Sequence, residues 1–542
     1  MQSNMKKYII IIAAIAGVST SGCKKTFLNR PPEDQYTVDG YYKTTSQVQS
    51  STNALYSAPW FGYNTKVGWA ISELASGNGR SGSSDVTAFG NFSVPNDHPE
   101  LVSAWNSLFT VVAQANALIY NLPTVPASIP QAVVNNALGE SHLMRALAYF
   151  YIVRLFGNVP IIENPLDFVS SPGTINTNPV TDVYKFIVND LKFAETNCSP
   201  NVAGTGHVSS GSASALLAKV YLYMQDYTNA LAEAQKVISS GEFGLLGVDV
   251  AGKSYGDLFK IANNNNKESI IALQWLSSGG YGYGNAVQAS LAYSSTITQT
   301  GDGYGVLAPS FDLEDAFAAV SDSVRRHNCI MLPNEYYAEL DQAAGGYTLP
   351  ASASSQGTHA QIKKYVVGSP ADNNGQSAFQ STSMNTYILR LADVYLIATE
   401  AILGKAAGAS TGGLDTAATT SDATAIGYFN KIRQRAGISQ IPAGGNISFR
   451  DIIKERRLEF AIEGDYWFDL CRIDGFNATT HPKAIAIISN QNRGDSSPDV
   501  PVWVRYPKYY TPTDANFLFP YPATEVAIDP NLSAAPVPYV FH

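Results

Sequence analysis

The chain has 542 residues, 45% of them hydrophobic and only 15% charged, with 31 Tyr, 23 Phe and 6 Trp. Low charge with many aromatics excludes intrinsic disorder and supplies enough apolar surface for a large core. A net charge of −9 argues against duplex nucleic acid as a partner, because neutralising phosphates needs a basic face.

Lys6 and Lys7 precede an apolar run, Tyr8 to Val18, and small residues then lead to Cys23. This order reads as an export signal over 1–22; the run is too short to span a bilayer, which takes about 20 residues. Ser21-Gly22-Cys23 resembles a bacterial lipobox, which makes Cys23 the expected lipidation site. Acyl chains there would hold the protein at a membrane surface, at about 0.8 kcal/mol per buried CH₂. Residues 23–40, with Pro31-Pro32, read as a tether. Cys198, Cys329 and Cys471 lie far apart without CxxC spacing, a pattern that points to neither a disulfide framework nor a zinc site.

Helical periodicity starts near Thr44 and returns over 102–122, with Leu108, Val111, Val112, Ala115, Leu118 and Ile119 on one face. A second strong helix, 139–156, stops at Gly157-Asn158-Val159-Pro160. Within Ser214–Phe243, residues Ala218, Tyr221, Ala230, Ala234 and Val237 fall at the small and aromatic offsets of a tetratricopeptide repeat. Tyr387–Ile402 repeats the pattern with Ala392 and Tyr395. Its partner helix, 425–436, is delayed by a Gly/Ala/Thr-rich insert. Further pairs are read around 139–156 with 181–197 and around 449–463. About three units are needed for a continuous core, so these broken pairs predict one mainly α, tetratricopeptide-like superhelical scaffold with long irregular loops and a few short strands.

Residues 246–385 lose the helical period. Glu268–Trp275 reads as a buried strand, followed by a Gly/Tyr loop from Gly279 to Gly284. Residues 476–542 hold ten of the 28 prolines, so this tail is expected to wrap the scaffold as loops and short edge strands. The predicted organisation is therefore a signal (1–22), a tether (23–40), a helical scaffold (41–245), a loop and short-strand ligand-binding insertion (246–385), the scaffold continued (386–475) and a Pro/aromatic-rich wrap (476–542).

Chemistry is harder to find. The seven histidines show no HExxH and no pair at helical spacing, and neither GxSxG nor GxxxxGK[ST] occurs. No metal, cofactor or catalytic residue is assigned. The Glu455–Glu459 run is read as a helix face on which Arg456 and Glu459 pair. Aromatic rings in Gly-rich loops remain, and ring faces stack sugars while neighbouring polar groups fix hydroxyls. Two stretches fit. Asn78, Arg80 and Asp85 sit in one Gly/Ser-rich loop, and Trp275, Tyr281, Tyr283 and Tyr304 lie in the other; these seven are the candidate ligand-binding residues.

Several ordered segments resemble the SusD/RagB-like family of outer-membrane lipoproteins. They are Cys23 with FLNRPPEDQYT after it, HLMRALAYFYIVRLFGNVPII from His142 and ALLAKVYLYMQDYTNALAEAQKVISSGEF from Ala215. YILRLADVYLIATEA follows from Tyr387, ERRLEFAIEGDYWFDLCR from Glu455 and FLFPYPATEVAIDPN from Phe517. The resemblance implies a non-enzymatic, lipid-anchored protein of the outer membrane, facing the cell exterior. It also implies that an oligosaccharide is bound and passed to a SusC-like TonB-dependent transporter. A peptide ligand, a surface glycoside hydrolase and a pure scaffold are the competing readings.

Overall fold

The computed structural model describes residues 42–164, 172–202, 204–408, 412–496 and 504–541. Cys23, the signal and the tether lie outside the described residues. Helix α1 (Thr45–Ser51) starts at a capping box on Thr44. Helices α2 (Pro99–Asn121), α3 (Gln131–Phe156), α4 (Val180–Asn197), α5 (Ser210–Tyr223) and α6 (Tyr227–Ser240) then follow, each packed on the next. The chain leaves the stack after Gly241. It returns through strand β1 (Ser269–Leu273), paired antiparallel with strand β2 (Thr386–Arg390) in the register Leu273 opposite Thr386 and Ser269 opposite Arg390. Helix α7 (Leu391–Ala407) follows β2 and packs directly on α6, and α8 (Ala423–Ala436) packs on α7, so the helical stack continues across the excursion. Helices α9 (Phe449–Glu459), α10 (Tyr466–Arg472) and α11 (Pro482–Ser489) close this end.

The pairing of α5 with α6 follows from residue size. Ala218, Tyr221, Ala230, Ala234 and Val237 are all buried. Helix α5 is buried on every side from Ser212 to Tyr223, as expected of a helix apolar all round, whereas α6 buries only Tyr227, Ala230, Ala234 and Val237. Gly241, in the left-handed region at φ +68°, ends α6 without a Cβ penalty. Close approach recurs at Gly404 on α7, where an added Cβ would lie 2.6 Å from the Tyr227 ring. Gly404→Val is expected to cost about 1–3 kcal/mol through overpacking, read as a lower urea midpoint with an unchanged slope.

The tail crosses the first helices. Phe519 N–H donates to Leu155 O and Ala523 N–H to Asn96 O, both at 2.8 Å, while Val537 N–H donates to Thr177 O at 2.8 Å.

The Arg456–Glu459 pairing expected along α9 is not what forms. Arg456 instead contacts Asp393 at 2.5 Å and Asp469 at 2.8 Å. Glu459 meets Arg435, Arg325 at 3.3 Å and Arg390 at 3.0 Å. Stacking delivers partners from α7, α8, α10 and the excursion, and these long-range ions outcompete the i,i+3 neighbour. Arg390 also contacts Glu268 at 2.5 Å and Glu463 at 2.7 Å, and Lys364 reaches Glu463 at 2.8 Å. All these groups are buried apart from Glu463, which is nearly so at its side chain. The excursion is therefore clamped to the scaffold at its base. Burial by itself would raise the Glu459 carboxyl, but the Arg435, Arg390 and Arg325 guanidiniums outweigh it and bring it down to about 2.

Candidate ligand-binding face

Beyond β1 the chain bends into three loops that hydrogen bonds hold together. Asn285 and Thr382 exchange backbone bonds of 2.8 and 2.9 Å, and the Asn285 side chain donates to Met384 O at 2.7 Å. Ser381 Oγ donates to Ser277 O at 2.9 Å, and Ser277 N–H to Ser383 Oγ at 3.0 Å. In the first loop Gly280 and Gly282 sit at φ +72° and +99°; Leu276 N–H donates to Tyr283 O at 3.0 Å and Gly284 N–H to Gly280 O at 2.9 Å. The second loop is fixed by Asp302, whose carboxylate accepts from Thr300 Oγ1 at 2.6 Å and from Gln380 N–H at 2.5 Å. Gln380 Nε2 also donates to the Tyr304 hydroxyl at 2.6 Å, which joins the second loop to the third, the Ser377–Thr382 hairpin.

This scaffolding leaves rings in solvent. Tyr281 is 63% exposed, Tyr283 59% and Tyr304 51%. Phe379, at the hairpin tip, is 55% exposed and was not among the sequence candidates. It stands in a polar turn with no periodic pattern; an apolar ring in such a turn was the available signal. Tyr281 sits edge-on to Phe61 at 4.7 Å between centroids, and Phe61 in turn meets Trp275 at 6.3 Å. Trp275 is buried, with Nε1–H donating to Thr386 Oγ1 at 3.0 Å, so its place is beneath the exposed rings and not among them.

The other predicted loop is corrected more sharply. Asn78 is fully buried: its amide donates to Glu73 Oε2 at 3.1 Å and accepts from Arg457 Nε at 2.8 Å. Arg80, 4% exposed, lies over the Phe311 ring at 4.2 Å and donates to Gly357 O at 2.7 Å. Burial pushes its guanidinium down to about 10. Both residues are withdrawn because Gly79 and Arg80 pair as a short strand with Pro309 and Ala308, a contact some 230 positions away that the local sequence does not announce. Asp85 is half-buried, engaged by Lys66 Nζ and Ser83 Oγ, each at 2.6 Å. Burial opposes its charge, but these two donors lower its pKa overall. The structure thus gathers Tyr281, Tyr283 and Tyr304 on interlocked loops and leaves Asn78, Arg80 and Trp275 as internal braces.

Among the described residues no helix is long and apolar enough to cross a membrane. The chain is similar to known proteins along its length. A family model described as "SusD family" matches residues 267–537, and one described as "Starch-binding associating with outer membrane" matches residues 35–222. A SusD-like protein of Bacteroides ovatus is 32% identical, with 100% of both chains covered. A crystal structure described as being with xylogluco-oligosaccharide superposes with a TM-score of 0.78 at 30% identity, over 91% of this chain and 99% of that one. A structure described as a laminarin binding SusD-like protein gives 0.67 at 25% identity, over 90% and 98%.

Proposed function

The chain belongs to the SusD family, and from that premise we propose that it is a cell-surface lipoprotein that binds a neutral oligosaccharide and hands it, chemically unchanged, to a SusC-like TonB-dependent transporter. Acylation of Cys23 anchors it at the outer membrane, facing outward. One observation carries the ligand part of the reading: four aromatic rings, on Tyr281, Tyr283, Tyr304 and Phe379, stand half or more in solvent on loops locked to one another. Exposed rings on braced loops lose little entropy when a flat sugar face settles on them. The Asp302, Gln380 and Ser381 side chains are engaged in holding the loops, so ring stacking supplies most of the contact and the site is shallow. Enclosure against the transporter then offsets weak intrinsic affinity by trapping the ligand between two proteins.

The relatives that carry xylogluco-oligosaccharide and bind laminarin give the first probes. Calorimetry of the mature chain with oligosaccharides of both kinds is expected to show saturable binding of at least one. Overnight incubation with the same sugar should release no new reducing ends. Release of reducing ends would favour the hydrolase reading, and silence across a broad glycan panel with retained transporter pull-down would favour the scaffold.

A further inference from the structure

Away from the aromatic loops, a cavity of about 620 Å³ opens between α9, α10 and α11. Its walls combine two chemistries. Phe449, Ile453 and Ile487 give it an apolar lining. Arg450, Ile453, Lys454 and Arg457 lie at the i, i+3, i+4, i+7 positions of α9 and so share one helix face, and all four line the cavity. The opposite face of α9, with Glu455, Arg456 and Glu459, is taken up by the buried ion network.

The charges on this wall do not balance. Arg457 Nη1 is matched by Asp312 at 2.7 Å and Nε by Asn78 at 2.8 Å, while Nη2 is buried without a hydrogen-bond partner among the described residues. Lys483 Nζ is held by the carbonyls of Gly412 at 2.6 Å and Leu414 at 2.9 Å and has no counter-ion among the described residues. Neither Arg450 nor Lys454, both exposed, has an ion-pair partner among the described residues. Four cations and one carboxylate, Asp312, therefore line one apolar cavity in a protein whose net charge is −9. An anion entering the cavity would meet the field of four cations and a single carboxylate, a charge balance that favours a negative occupant.

We infer that this cavity is a second binding site, for a carboxylate carried on an apolar body. The acid group sits between Arg450 and Lys454 at the mouth, in the field of Arg457 and Lys483, and the body rests on Phe449, Ile453 and Ile487. The site is separate from the sugar-stacking loops and does not depend on them.

The test is calorimetry on the mature chain with Cys23→Ser, purified without detergent, using 2-naphthoate and its neutral analogue 2-naphthamide. Naphthoate is expected to bind at least tenfold more tightly than the amide, and to weaken several-fold between 50 and 500 mM salt because the mouth cations are solvent-screened. Arg450→Glu combined with Lys454→Glu, both at exposed positions, should reduce naphthoate binding at least tenfold while leaving the amide and the oligosaccharide unaffected. Ala486→Trp, which fills the cavity from its rim, should weaken acid and amide together. Equal affinity for acid and amide, naphthoate binding retained within twofold in the double variant, or no naphthoate binding at all would each overturn the assignment.

Discussion

Replacing Arg390 with methionine is expected to lower the unfolding free energy by about 3–5 kcal/mol, the cost typical of removing one partner from a buried ion pair. The guanidinium touches Glu268, Glu459 and Glu463 at once, and methionine fills much of its volume while returning no charge. Arg435 remains on Glu268 and Glu459, and Lys364 on Glu463, so part of the compensation survives and complete unfolding is not expected. Acid sensitivity should change in step. The Glu459 carboxyl is depressed to about 2 in the folded chain, from an ordinary value of 4.5. Its contribution to stability is thus fully present above about pH 4.5 and is lost as pH falls toward 2. In the Arg390→Met variant the depression is smaller, and the loss on acidification should be smaller too. Urea titrations of both proteins at pH 7, 4.5 and 3 measure this directly; a variant within 1 kcal/mol of the parent at pH 7 would show that the network is slack.

The second large effect concerns the sugar. Tyr281→Ala with Tyr283→Ala is expected to weaken oligosaccharide binding by about 1–3 kcal/mol for each lost ring, on the scale measured for stacked bases. That corresponds to roughly five- to a hundred-fold or more per ring. Both rings are largely in solvent, so the unfolding midpoint should hardly move. Asn78→Ala gives the opposite pattern: it strips a partner from buried Glu73 and Arg457, should cost about 1–3 kcal/mol of stability, and should leave affinity for the sugar unchanged. If the two tyrosines can be removed without loss of affinity, the stacking face lies elsewhere.

The helical half of the fold was legible because its signals are local. Small residues at fixed offsets announced the close contact of α5 with α6, and the helix expected over 102–122 is observed at Pro99–Asn121. The strand read at Glu268–Trp275 is observed at Ser269–Leu273. Helix α3 begins at Gln131, eight residues before the expected start at Gly139, because its first two turns are partly exposed and lack a strong apolar stripe. What failed were inferences that needed distant partners. Asn78 and Arg80 looked like loop-tip polar groups until the pairing of Gly79 and Arg80 with Pro309 and Ala308, and the bond from Ser310 N–H to Asn78 O, drew them inward. Arg456 and Glu459 looked like each other's counter-ions until α7, α8 and α10 supplied nearer ones. Tyr281, Tyr283 and Tyr304 were picked correctly as exposed rings because glycine-rich loops cannot bury an aromatic by themselves. Phe379 escaped because a single ring in a polar turn leaves no pattern.

The antiparallel pairing of β1 with β2, with α6 resting directly on α7, means that residues 274–385 depart from and rejoin the molecule at one doorway. Beyond its two ends the segment also meets the frame where Gly79 and Arg80 pair with Pro309 and Ala308 and where Asp312 meets Arg457, so a relative's segment put in its place would have to match these contacts too. Arg325 and Lys364 lie inside the segment and answer Glu455, Glu459 and Glu463 outside it, where Arg433, Arg435 and Arg390 reach the same three acids, so a transplant lacking basic groups at those two places would thin the buried network without leaving an acid unpaired. The stretch that carries the exposed rings is thus fastened at its doorway by buried ions and farther out by a short strand and the Asp312–Arg457 pair.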